Sequence, residues 1–380
     1  MKKSASLIWA IVALVIVLGL IIAGNGGNTD NIDDESDSEE IITIGFLGPL
    51  TGDIATIGQG AKAAVEIAVE EINAAGGVDG DNISVIYEDS KCNARDASSA
   101  GNKLINVDKV PVIIGAACSS ETLAVAPVAE QSKVVMLSYC SSAPTVTNAG
   151  DYIFRNYPSD TFQGKYAAEL AYGNLTKRKA AVMYCLSDYC TGIKDVFKAR
   201  FAELNGSIVA EEGYDQTTKD LKTQLTKIKE LNPDMIYFIG YTEASVIGIK
   251  QMKELGMNIS TLGGDAWSDP KIWETAENAG EGMRYTVVKS GSTNTFKEKM
   301  KAKTGKNDVT ACASQAYDAV KIIASIMEEE EDPAQIKADL YQVKNYNGIS
   351  GKIGFDANGD LLSAEYETYV VRNRTSVLDY

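Results

Sequence analysis

Between residues 41 and 371 the chain alternates short apolar runs with longer stretches of helical periodicity, and this alternation narrows the fold more than any other feature. The runs fall at 41–46, 83–87, 110–114, 134–137, 180–184, 207–210, 235–239 and 286–288. Amphipathic segments lie between them, among them 61–73, 162–172, 193–204, 221–231 and 245–255. Strands alternating with helices predict an α/β fold whose parallel sheet is covered on both faces. The runs at 110–114 and 235–239 are continuously apolar, as strands buried on both sides are. The pattern runs twice. Four βα units end near Leu137, the segment 152–158 crosses over, and a second series runs from Phe162 to about Val288. Helices at 311–327 and 333–340 then precede a β-rich tail at 351–355 and 364–371. Two doubly wound parallel-sheet lobes with a cleft between them are the expected architecture. Residues 41–155 with 289–348 would form the first lobe, and 156–288 with 349–380 the second. The hinge crossings are expected near 154–158, 287–289 and 347–351.

Ahead of this body, Lys2 and Lys3 precede residues 7–23, which carry no charge. That run exceeds a signal-peptide core of ~7–15 residues and just reaches the ~17 needed to span a bilayer. A small-x-small cleavage site is poorly formed, because Ile22 stands where a small residue is wanted. An uncleaved N-terminal membrane segment is therefore expected over a cleaved signal, with the body outside the cytoplasm in either case. Residues 25–40 are almost wholly Gly, Asn, Thr, Ser, Asp and Glu, and read as an acidic disordered linker.

The whole chain carries 36 Lys+Arg against 52 Asp+Glu, a formal charge of −16, and no histidine. A basic face for nucleic acid is not to be expected. Without histidine there is no Ser-His-Asp or Cys-His pair and no imidazole metal ligand. No phosphate loop is present, and no cofactor or metal is expected. An enzyme is the least favoured class.

Six cysteines remain to be placed in an exported protein, where disulfides are permitted. Cys92 and Cys118 each follow a strand of the first series, on the same sheet edge, and a bridge is expected. Cys185 and Cys190 share one post-strand loop, as a local bridge or a free pair. Cys140 and Cys312 have no obvious partner. No C-x-x-C spacing supports a metal site.

Ligands of doubly wound sheets bind beyond the carboxyl ends of strands. Three clusters occupy such places. Cys118-Ser119-Ser120 opens a helix, where a hydroxyl and backbone N–H groups suit a carboxylate, although serine also caps helices there. Ser138-Tyr139-Cys140-Ser141-Ser142 offers further hydroxyls. Gly263-Gly264-Asp265 supplies an acid, either for a cation or as an ordinary turn residue. Together they suit a zwitterion, with neutral donors on one lobe and one negative charge on the other. Tyr189 and Tyr241 follow strands of the second lobe and could wall an apolar side chain.

The opening Ile44-Gly45-Phe46-Leu47-Gly48-Pro49-Leu50-Thr51-Gly52, the stretches Gly60–Ala68 and Glu71–Val78, Cys92, Cys118-Ser119-Ser120 and Gln315-Ala316-Tyr317-Asp318-Ala319 resemble the branched-chain amino-acid binding proteins of ABC importers. The resemblance covers essentially all of 41–372 and implies the type I periplasmic binding-protein fold. It implies a Cys92–Cys118 disulfide. It implies that Ser119 and Ser142 hold the ligand carboxylate, that the Cys140 carbonyl accepts from the ammonium, and that Asp265 neutralises it. Tyr189 and Tyr241 match aromatic positions of the second lobe. Ile57 and the small residues around Cys312 depart from the family's side-chain pocket. The resemblance implies a monomeric receptor at the outer face of the membrane, anchored or secreted, that delivers an amino acid to permease subunits. An extracellular sensor acting through a separate signalling partner is the alternative.

Overall fold

The computed structural model describes residues 41–327 and 332–379. The expected membrane segment at 7–23 and the linker at 25–40 lie outside the described residues. Among the described residues no helix is long and apolar enough to cross a membrane.

Strands β1 (Ile41–Gly48), β2 (Asn82–Asp89), β3 (Val112–Ile114), β4 (Val135–Ser138) and β5 (Ile153–Arg155) form a five-stranded sheet in the order β2-β1-β3-β4-β5. All its pairings are parallel. Strands β6 (Lys179–Cys185), β7 (Ser207–Tyr214), β8 (Met235–Ile239), β9 (Ser260–Gly263) and β10 (Arg284–Val288) repeat that order as β7-β6-β8-β9-β10. Both halves therefore reverse strand order after their first strand, which is where open α/β sheets leave a crevice. β3, β4 and β8 are buried along their whole length, which accounts for their unbroken apolar sequence.

The crossing expected at 152–158 begins later, because 153–155 is itself the fifth strand of the first sheet. The chain returns at Lys289, whose N–H donates to the Glu365 carbonyl at 2.8 Å. The helices Asn294–Thr304 and Ala313–Met327 both pack on Ala55–Ala74 of the first lobe.

The third crossing differs from expectation. β11 (Tyr346–Gly348) and β12 (Gly351–Ile353) form a separate two-stranded hairpin. Past it, Phe355 is buried 5.5 Å from Phe154, ring to ring, and Asp360 meets Arg155 in a two-pronged ion pair of 2.6 and 2.8 Å. Residues 349–361 thus pack on the first lobe, and the expected boundary at 348/349 and crossing at 347–351 shift beyond Leu361. Only then do β13 (Tyr366–Arg372) and β14 (Thr375–Leu378) extend the second sheet, β13 antiparallel to β10.

Candidate functional site

A cavity lies where the carboxyl ends of the two sheets face each other. Ser119, Cys140 and Ser142 line it from the first lobe, and Tyr189, Tyr241 and Asp265 from the second. All six site residues expected from the sequence therefore share one space. Ile54, Ile57 and Tyr157 join them.

The first wall is built on the helix Ser119–Ser132, which follows β3. Its N-cap is Cys118, in extended conformation, and not Ser119. The Glu121 carboxylate accepts from the Cys118 N–H at 2.8 Å and closes the reciprocal cap. Burial pushes the Glu121 carboxyl up to about 7, against the backbone amides that hold it down. Ser119 is thereby released from capping. Its Oγ accepts from the Ala143 N–H at 3.0 Å, which leaves its own proton for another acceptor. The Cys92–Cys118 disulfide is present, with Cα atoms 5.5 Å apart, and ties this helix start to the end of β2.

Ser142 is held from behind by Asp160, the first residue of the helix Asp160–Glu169. Oγ of Ser142 lies 2.9 Å from Asp160 Oδ2, and the Asp160 N–H donates to the Ser142 carbonyl at 2.7 Å. Asp160 is fully buried. Burial pushes its carboxyl well above the usual range, and the nearby Asp265 adds to this, while Ser142 and Arg155 oppose it. In this arrangement the Ser142 hydroxyl donates to Asp160, which fixes its position at the cavity wall.

The second wall centres on Asp265. Its Oδ2 accepts from Tyr157 Oη and its Oδ1 from Tyr189 Oη, each at 2.7 Å, and the Ala266 N–H adds a bond of 3.0 Å. Burial pushes the carboxyl up and these donors pull it back. A Cβ at Gly264 would fall 2.5 Å from Tyr189 Oη, so a larger residue there would displace the hydroxyl that donates to Asp265. The rings of Tyr189 and Tyr241 pack with centroids 5.5 Å apart.

The cysteines without an expected partner are corrected. Cys140 and Cys312 are joined, with Cα atoms 5.5 Å apart, and both line the cavity. The Cys185–Cys190 bridge is also present. The loop after β4 and the start of the helix Ala313–Met327 converge across 172 residues of sequence, which no local spacing reveals. Tyr157 falls inside the segment expected as a crossing, and Asp160 lies just beyond it, ahead of the second series; neither is marked by the pattern. The Ser159-Asp160 pair, a helix-start signature, was the signal available there.

A sequence profile of the family described as periplasmic binding protein matches residues 41–375. The chain belongs to that family. A leucine-, isoleucine-, valine-, threonine- and alanine-binding protein of Pseudomonas aeruginosa is 28% identical to this periplasmic binding protein over 341 residues, covering 87% of this chain and 90% of its own. Among solved structures, a leucine-binding protein of Thermotoga maritima is similar at a TM-score of 0.83 and 30% identity, covering 89% of this chain and 98% of that one. A branched-chain amino-acid transporter substrate-binding protein of Streptococcus pneumoniae, in complex with isoleucine, is similar at 0.81 and 26% identity, covering 90% and 100%.

Proposed function

We propose that this periplasmic binding protein is the extracytoplasmic receptor of an ABC importer, and that it captures an α-amino acid with an apolar side chain. The carrying observation is the division of the cavity. Hydroxyls and the amino end of a long helix face it from one lobe, and a single carboxylate, Asp265, faces it from the other. An α-carboxylate would take the Ser119 and Ser142 hydroxyls, with the positive helix end behind them. The ammonium on the same carbon would sit between the Cys140 carbonyl and Asp265. Ionised Asp265 would be favoured by that contact, which offsets the cost of its burial.

The side chain of the ligand would extend toward Ile54, Ile57 and the Cys140–Cys312 disulfide, with Tyr189 and Tyr241 as the opposite wall. These surfaces offer dispersion contact and few polar partners, which favours aliphatic ligands. A ligand that touches both lobes favours their closed arrangement, whereas one held by a single lobe would shift nothing. Residues 7–23 would hold the monomeric receptor at the outer face of the membrane, close to its permease. A mature N-terminus near Gly26 would overturn the anchor and leave ligand capture untouched.

The test is a thermal-shift screen against the amino acids, followed by calorimetry with L-leucine and with 4-methylpentanoate, its analogue without an amino group. Binding raises the midpoint by mass action. Leucine or a near relative should stabilise the protein and 4-methylpentanoate should not. Equal binding of the two would overturn the zwitterion assignment.

A further inference from the structure

Five Asn-x-Ser/Thr triplets, at Asn82, Asn174, Asn205, Asn258 and Asn373, take no part in ligand capture. The topology gathers four of them. Asn174 lies just ahead of β6, Asn205 just ahead of β7, and Asn258 just ahead of β9. Asn373 sits in the turn between β13 and β14. Because β13 runs antiparallel to β10, with Val370 opposite Arg284, that turn lies beside the amino end of β10. The register aligns these edges, with Lys179 opposite Ser207, Met235 opposite Ser260, and Arg284 opposite Leu262. All four asparagines therefore occupy one pole of the second lobe. The cavity is at the opposite pole, beyond the carboxyl ends of β6, β8 and β9. At 3.3 Å per residue, the length of β6 separates the two poles by about 20 Å.

Local conformation suits the four as acceptors. Each is exposed, and each lies in a turn, a loop or the last residue of a helix. Asn205 and Asn373 have φ of 67° and 49°, a region that asparagine tolerates in turns. Among the described residues no hydrogen bond occupies their side-chain amides. Asn82 is different. It is half-buried, opens a paired strand opposite Ile41, and already has an interaction partner.

We infer that Asn174, Asn205, Asn258 and Asn373 are acceptors of asparagine-linked glycans, and that Asn82 is not. The donor is a lipid-phosphate-linked oligosaccharide presented by a membrane transferase. Asparagine Nδ2 forms a bond to the anomeric carbon, and the anomeric carbon–oxygen bond to the lipid phosphate breaks. The phosphate leaves with the bonding pair, and the amide proton passes to a base of the transferase. A hydrated glycan coat on this pole leaves the cavity pole free to meet a membrane partner. The inference rests on the export of the body proposed above.

The full chain purified from its natural host is digested and its peptides weighed by mass spectrometry. Peptides spanning the four sites should carry saccharide mass on asparagine, and the Asn82 peptide should be bare. Thr176→Val, Ser207→Ala, Ser260→Ala and Thr375→Val should each erase the mass at one site while leaving the asparagine in place. Binding of L-leucine should be unchanged in all four. Bare peptides in a sample whose cysteines are oxidised and which binds L-leucine would overturn the inference alone. Bare peptides with free thiols would overturn it together with export. Saccharide on Asn82 would overturn its exclusion.

Discussion

The hydroxyl of Tyr157, on the first segment to cross between the lobes, donates to Oδ2 of Asp265 at 2.7 Å. The hinge and the acid of the second lobe are thus in direct contact. Asp265→Asn keeps the shape and removes the charge. Hydrogen bonds to a charged partner contribute ~1.5–3 kcal/mol, so affinity for L-leucine should fall by roughly one to two orders of magnitude. Ser119→Ala should cost less, since backbone amides remain. Calorimetry checks both, and unchanged affinity in Asp265→Asn would remove the acid from the site.

Asp360→Ala should be among the most destabilising single changes in the first lobe. Arg155 is fully buried and meets Asp360 with two bonds, so the variant leaves an unpaired guanidinium inside. Breaking such a pair costs about 3–5 kcal/mol. Denaturant melts read the loss. A cost under about 1 kcal/mol would mean that water reaches Arg155 readily.

Removing the Cys140–Cys312 bridge by Cys312→Ser should lower both stability and ligand affinity. Chain entropy alone assigns a closed loop of 172 residues about 5 kcal/mol, an upper figure for a denatured chain without residual structure. The bridge also fixes the loop that presents Cys140 and Ser142. A variant that melts early yet binds L-leucine as tightly as the wild type would confine the bridge to stability.

Asp53 provides a pH test. Its Oδ1 accepts from the N–H of Glu243, which belongs to the helix Thr242–Glu254 of the second lobe. Burial, aided by the charge of Glu243, pushes the Asp53 carboxyl up from 3.8 to about 6. A raised carboxyl binds its proton more tightly in this arrangement than in water. Its contribution is therefore complete below pH 3.8 and is lost as pH rises through 6. Asp53→Asn cannot titrate. Relative to the wild type it should gain about 1–2 kcal/mol at pH 7.5, a gap that narrows toward pH 4. Parallel stability curves for the two proteins would remove Asp53 as the cause.

The α/β alternation was legible because buried parallel strands must be continuously apolar, and β3 and β8 are. The helix Asn294–Thr304 was not. It buries only Phe296 and Met300 and is otherwise rich in lysine, so no apolar stripe marks it. The expected site residues could be placed because each follows a strand, and strand ends converge in this fold. Asp160 and the Cys140–Cys312 bridge escaped for a different reason. Their importance comes from contacts made only in the fold, with Ser142 18 residues away for Asp160 and across 172 residues for the bridge, and periodicity carries no trace of such pairings. The shifted third crossing has the same origin, since Asp360 is drawn to Arg155 from 205 positions away.

That ion pair and the packing of Ala313–Met327 on Ala55–Ala74 also bear on the order of assembly. The strands β6 to β10 and their helices occupy one uninterrupted stretch and can associate as soon as it is free. The first lobe must wait for residues beyond 313, and contacts that close such long loops form slowly. The first lobe, although it begins the described chain, is therefore closed only by segments close to its end. Until it is, the surface that will carry Ser119 and Ser142 lacks the segment on which Cys312 arrives, and a nascent receptor holds only the half of its site that contains Asp265.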